Sequence, residues 1–159
     1  MRVLGQFSQP VAGFLLLFVT GVLGSCGSGA SDIELVESAK EYMAENQVRA
    51  SVIELKNALK SNPKNAEARF LLGEVYYLVG DMASAEKEYK RAYDNGWSPE
   101  EAILGKMRAM VAHQKFDELL DGDYQTDEWT KAARANSIAL MALSQAGKGY
   151  LLKAKSTIL

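Results

Sequence analysis

Slid 34 residues along itself, the sequence brings Tyr42 onto Tyr76, Lys56 onto Lys90 and Ala58 onto Ala92. The same shift sets Ser51 on Ala85 and Leu55 on Tyr89, keeping size class at each place. A period in this range belongs to arrays in which one unit cannot bury its own apolar face and must stack on the next. From Asp32 onward the apolar residues recur at helical spacing, in pairs of amphipathic segments. Only Pro10, Pro63 and Pro99 interrupt Ala-, Leu-, Glu- and Lys-rich stretches, so helix is favoured throughout. With 48% hydrophobic and 24% charged residues, the chain can fill a core.

The strongest unit covers residues 66–99. Leu72-Gly73, Tyr76, Gly80, Ala85, Tyr89 and Ala92 stand in the order and spacing of the tetratricopeptide pattern, which this segment resembles. The resemblance implies an all-α, tetratricopeptide-like helix-turn-helix solenoid. Gly73 and Ala85 are expected where the two helices of the unit cross, since a larger side chain would push the axes apart. Tyr76 and Tyr89 are expected to reach neighbouring units, and Gly80 to end the first helix. Arg69 and Trp97 depart from the pattern, which has tryptophan and proline there. Residues 32–65 form a weaker unit, with Ser38-Ala39 in place of Leu-Gly and a turn at Asn46-Gln47.

A degenerate pair follows over residues 100–124, opened by the helix-starting signal Ser98-Pro99. Met107 and Met110 take the glycine and tyrosine places there, and Gln114-Lys115-Phe116 parallels Gly80-Asp81-Met82. Residues 125–159 are expected to hold one more, truncated pair, broken at Gly147-Lys148-Gly149. Its apolar close, Thr157-Ile158-Leu159, is expected to be covered by further repeats or by a partner.

Residues 1–25 read as an address. Arg2 precedes an uncharged, mostly apolar run from Val11 to Leu23. At helical rise that run spans roughly 20 Å, too short for a bilayer core and suited to a signal peptide. Leu23-Gly24-Ser25-Cys26 resembles the bacterial lipobox. The resemblance implies cleavage between Ser25 and Cys26, with lipid attached to the sole cysteine. Each buried methylene adds about 0.8 kcal/mol, and two or more chains make a stable membrane anchor. Residues 26–31 would be a flexible tether. Gly27 in place of aspartate implies, by resemblance to enterobacterial sorting, an outer-membrane destination in the cell envelope.

The lipobox, the run from Leu72 to Ala92 and the string Lys115-Phe116-Asp117-Glu118-Leu119-Leu120-Asp121 together resemble a narrower group. This is the large tetratricopeptide lipoproteins encoded with exosortase/PEP-CTERM sorting and exopolysaccharide export, which implies that the chain is an N-terminal fragment. The alternative is a general outer-membrane or pilus assembly lipoprotein.

Enzyme chemistry is not expected. No phosphate loop, HExxH or GxSxG string occurs. The acids Asp121, Asp123, Asp127 and Glu128 fail the spacing of a calcium loop and read as a solvated connection. His113 reads as a helix C-terminal dipole partner or partly buried filler, and Glu86 and Glu88 as exposed helix surface. No cofactor or metal is expected. The net charge of −2 argues against nucleic acid. The expected partners are proteins or peptides on a concave face, plus a membrane through the N-terminal lipid. By resemblance, the groove-facing positions are Val36, Lys40 and Met43, then Phe70, Glu74 and Tyr77, then Leu104, Arg108 and Val111. No cluster of Lys, Arg and Asn for gripping a C-terminal carboxylate stands out.

Overall fold

A computed structural model describes residues 30–124 and 127–158 of the chain. The signal peptide, the lipobox with Ser25 and Cys26, and most of the tether lie outside the described residues.

The described residues form seven helices: α1 (Asp32–Ala44), α2 (Val48–Ser61), α3 (Ala66–Leu78), α4 (Met82–Asp94), α5 (Pro99–Ala112), α6 (Phe116–Leu120) and α7 (Lys131–Ile158). Their starts are set by local chemistry. Ser31 and Glu34 make a reciprocal capping box on α1, and the side chains of Asn65, Asp81 and Ser98 each accept a backbone N–H at the start of α3, α4 and α5. Pro99 opens α5, where its missing N–H is not needed.

Helices α1, α3 and α5 end alike. Asn46, Gly80 and Gln114 all have positive φ, at 58°, 86° and 59°. After each, the next N–H turns back to a carbonyl inside the helix: Gln47 to Tyr42 at 2.8 Å, Asp81 to Tyr76 at 2.9 Å and Lys115 to Met110 at 3.0 Å. This left-handed stop satisfies orphan carbonyls, and it recurs at the sequence period. Glycine adopts it without steric cost and asparagine with little, whereas Gln114 carries a Cβ in a region that L-residues avoid. Gln114→Gly is therefore expected to stabilise the fold by about 1 kcal/mol. Urea melts would check this, and no gain or a loss would refute it.

Packing runs along the chain. Each helix through α5 packs on its successor, α3 also touches α5, and α7 packs on α5 and α6. The core divides in the same way. Val36, Ala39, Leu55, Ala58, Leu72 and Val75 fill the interior of α1 to α3; Ala85, Tyr89 and Ala109 join α4 to α5; and Met107, Met110 and Leu119 join α5 to α6. This stacking makes the fold the expected all-α helix-turn-helix solenoid, with stability spread over neighbour interfaces.

Tyr89 is the joint between successive pairs. Its side chain is fully buried, and a Cβ built on Gly73 of α3 or Gly105 of α5 would come within 2.8 Å or 2.6 Å of its ring. The glycine at 73 thus makes room for the Tyr89 ring of the next helix. It does so again from α5, through a glycine that the 34-residue register does not align.

The C-terminal part departs from expectation. Gly147-Lys148-Gly149 does not break a helix pair, because α7 runs unbroken through all three residues. Gly147 is there for closeness: a Cβ on it would approach the Phe116 ring of α6 to 2.6 Å. A glycine inside a helix costs only about 1 kcal/mol, which the α6–α7 contact can offset.

Candidate functional site

The odd helices supply one flank of the stack. A hollow of about 540 Å³ lies between α3, α5 and α7, lined by Phe70 and Glu74, by Glu101, Leu104 and Arg108, and by Asn136, Ala139 and Leu140. A smaller hollow, about 210 Å³, is lined by Met43 of α1, Tyr77 and Leu78 of α3, and again by Glu74 and Arg108. The two share a divider. Arg108 Nη2 donates to Glu74 Oε1 at 2.7 Å, and Tyr89 donates its hydroxyl to the same oxygen at 2.7 Å. The Arg108 guanidinium also lies over the Tyr77 ring, 5.5 Å from its centroid. Glu74 and Arg108 occupy equivalent places one period apart, so the repeat itself brings opposite charges together.

Phe70 is held from behind. Its ring stacks on Trp97 at 5.1 Å and meets Tyr89 at 5.8 Å. Aromatic pairs at such distances add about 0.5–1.5 kcal/mol beyond burial and fix the ring that forms the hollow's wall. The departure at Trp97 from the repeat pattern thus has a use.

Of the nine positions expected to face a groove, Met43, Phe70, Glu74, Tyr77, Leu104 and Arg108 line the two hollows. Val36 does not: it is buried to 1% exposure in the core shared by α1, α2 and α3. Phe70, at the equivalent place one period on, packs instead against the Ala85, Tyr89 and Ala109 core. Lys40 is half-exposed and tied to Glu37 at 2.7 Å and Glu67 at 2.6 Å, bridging α1 to α3. Those two carboxylates raise its pKa above the ordinary value. Val111 packs against the Met107, Met110 and Leu119 core.

Glu101 and the α7 residues Asn136, Ala139 and Leu140 were not visible as groove residues in the sequence. Counting one period on from Leu104 points to Ile138, which is 66% exposed, while its neighbours Ala139 and Leu140 line the hollow. The five-residue α6 and the connection after it shift α7 relative to the register. No local signal marks that shift.

Glu86 and Glu88 correct a second expectation. Both are buried, and each is doubly engaged. Glu88 accepts from Arg69 at 2.7 Å and from Arg91 at 2.9 Å. Glu86 meets His113 Nδ1 and Lys115 Nζ, each at 2.8 Å. They clamp α4 to α3 and to the α5–α6 turn. Buried carboxylates demand such partners. His113 is the C-cap residue of α5, with its ring on that clamp.

Asp121 is the C-cap of α6. Among the described residues, no group of three or more His, Cys, Asp or Glu could hold a metal, and no helix is long and apolar enough to cross a membrane.

Residues 36–98 match the family described as Tetratricopeptide repeat. The match spans all of α2, α3 and α4 and most of α1, the region where core and turns repeat most regularly. No curated protein matches the chain.

Proposed function

We propose that this chain, with tetratricopeptide repeats over residues 36–98, is a docking scaffold that holds a protein segment along its odd-helix flank and does no chemistry of its own. The observation that carries this reading is the pair of hollows sharing the Glu74–Arg108 divider. Apolar walls from Phe70, Leu104 and Leu140 offer anchor sites, and the charged divider sets register. A photo-crosslinking residue at Leu104 should trap a protein partner in cells, whereas one at Ile53, exposed on α2 away from both hollows, should not. Equal trapping at both positions would refute the groove.

The finer reading rests on the sequence. Signal-like residues 1–25 and the lipobox at Cys26 support a lipid-anchored protein of the bacterial envelope, with Gly27 favouring the outer membrane. The likeness of residues 115–121 and of the central repeat to exosortase-linked lipoproteins supports a role in exopolysaccharide export or PEP-CTERM protein sorting. A general outer-membrane or pilus assembly lipoprotein is the second reading, favoured by the commonness of tetratricopeptide signatures across unrelated assemblies. Cys26→Ala is expected to move the protein from the membrane fraction to the soluble envelope fraction. Unchanged membrane association would contradict the anchor.

A further inference from the structure

The sequence holds one Asn-Gly pair, Asn95-Gly96, and it falls at the junction of α4 and α5. Gly96 has a φ of 91° and is exposed, with open space where a Cβ would stand. The Trp97 N–H turns back to the carbonyl of Ala92 at 2.9 Å, and the Gly96 N–H to that of Tyr93 at 3.0 Å. This left-handed stop favours glycine. The residue before it is the C-cap of α4, and the Asn95 side-chain amide donates to the carbonyl of Arg91 at 2.6 Å. Cap and stop thus set asparagine and glycine side by side.

Such a pair carries its own chemistry. Asparagine is thermolabile, and a following residue without a Cβ leaves its backbone nitrogen free to reach the asparagine side chain. The Gly96 nitrogen bonds to Asn95 Cγ and gives up its proton. The Cγ–Nδ2 bond breaks, and Nδ2 leaves as ammonia with that proton. Water then opens the resulting five-membered imide at either carbonyl, leaving aspartate or its β-linked isomer. Oxidation state does not change at any step.

In the folded chain every participant is held. The attacking nitrogen has its N–H on the Tyr93 carbonyl, and the leaving amide is tied to the Arg91 carbonyl. Asn95 has a ψ of 10°, which turns the Gly96 nitrogen away from Cγ. Just beyond, the Trp97 ring stacks on Phe70 of α3 at 5.1 Å and pins the chain that leaves the turn. We propose that Asn95-Gly96 is a self-deamidation site that the α4–α5 junction holds shut, with the Trp97–Phe70 stack as its latch. A carboxylate at position 95 has no proton to donate to Arg91 and stands beside Asp94 at the negative end of α4. The β-linked isomer also lengthens the backbone by one methylene. Either product weakens the stop, so the reaction leaves a lasting mark on chains whose stack has parted here. It needs no partner.

The test incubates the full chain in mildly alkaline buffer, folded or in guanidinium chloride, and follows Asn95 by mass spectrometry. Trypsin releases it in the peptide of residues 92–106, and Asn136, on α7, serves as a second clock in the same digest. Asn95 is expected to convert at least about tenfold more slowly in the folded chain, giving both aspartate and its isomer once unfolded. Trp97→Ala should speed conversion of Asn95 in the folded chain and leave Asn136 unmoved. Circular dichroism checks that the helices persist; should Trp97→Ala melt them, Phe70→Leu loosens the same stack more gently. Equal rates in folded and unfolded chains overturn the proposal, as does aspartate alone, which would mean direct hydrolysis. A loosened stack that leaves Asn95 at its original rate, or that speeds both clocks alike, removes the latch.

Discussion

Tyr89→Ala is expected to cost about 3–5 kcal/mol, the largest loss from any single truncation in this fold. Tyr89 is the largest fully buried side chain among the described residues and touches both α3 and α5. Removing the ring empties the joint between successive helix pairs and strips Glu74 of one of its two donors. A domain of this size has about 5–15 kcal/mol in all, so the variant should lose most of its cooperative transition in urea. A shift under about 1 kcal/mol would show that the joint does not carry the stack. Tyr89→Phe keeps the shape and should cost only about 1 kcal/mol, since Arg108 still holds Glu74.

The same residue sets an alkaline limit. Burial first, then the hydrogen bond to Glu74, pushes the Tyr89 hydroxyl above its ordinary value of 10.0. The folded chain therefore keeps a proton that the unfolded chain releases. This contribution is complete below the unfolded pKa and falls as pH rises past it. Absorbance of ionised tyrosine should show one phenol that titrates only as the protein unfolds.

Gly105→Ala should be the other severe change, at about 1–3 kcal/mol. A methyl there meets the Tyr89 ring at 2.6 Å, and the ring cannot swing away because Gly73 borders it on the other side. The diagnostic is coupling. In a Tyr89→Ala background the same substitution should cost nearly nothing, since the atoms it strikes are gone. Additive losses in the double variant would place the strain elsewhere.

Much of this architecture is legible before folding. The left-handed stops at Asn46, Gly80 and Gln114 keep the period, as do their returning hydrogen bonds, because a helix stop is decided within a few residues. The caps at Ser31, Asn65, Asp81 and Ser98 are equally local. Six of the nine expected groove positions line the hollows because repeat register carries over from one odd helix to the next.

The misses share a cause. Glu86 and Glu88 look like solvent-facing charges on α4, and their burial depends on Arg69, His113 and Lys115, residues on other elements. Gly147 looks like a stop, and its reason is the Phe116 ring on α6. Val36 and Phe70 share a register place, and the interior available to each differs.

The sequence by itself determined the helix class, the repeat length, the stops and caps, and which flank would be open, because each follows from interactions within one or two turns or from a fixed period. The tertiary structure decided which charges are buried and paired, which glycines make room for rings, and how α7 sits against α5. Those outcomes depend on side chains that meet only after the pairs have stacked, when volume and charge must balance across helices far apart in the chain.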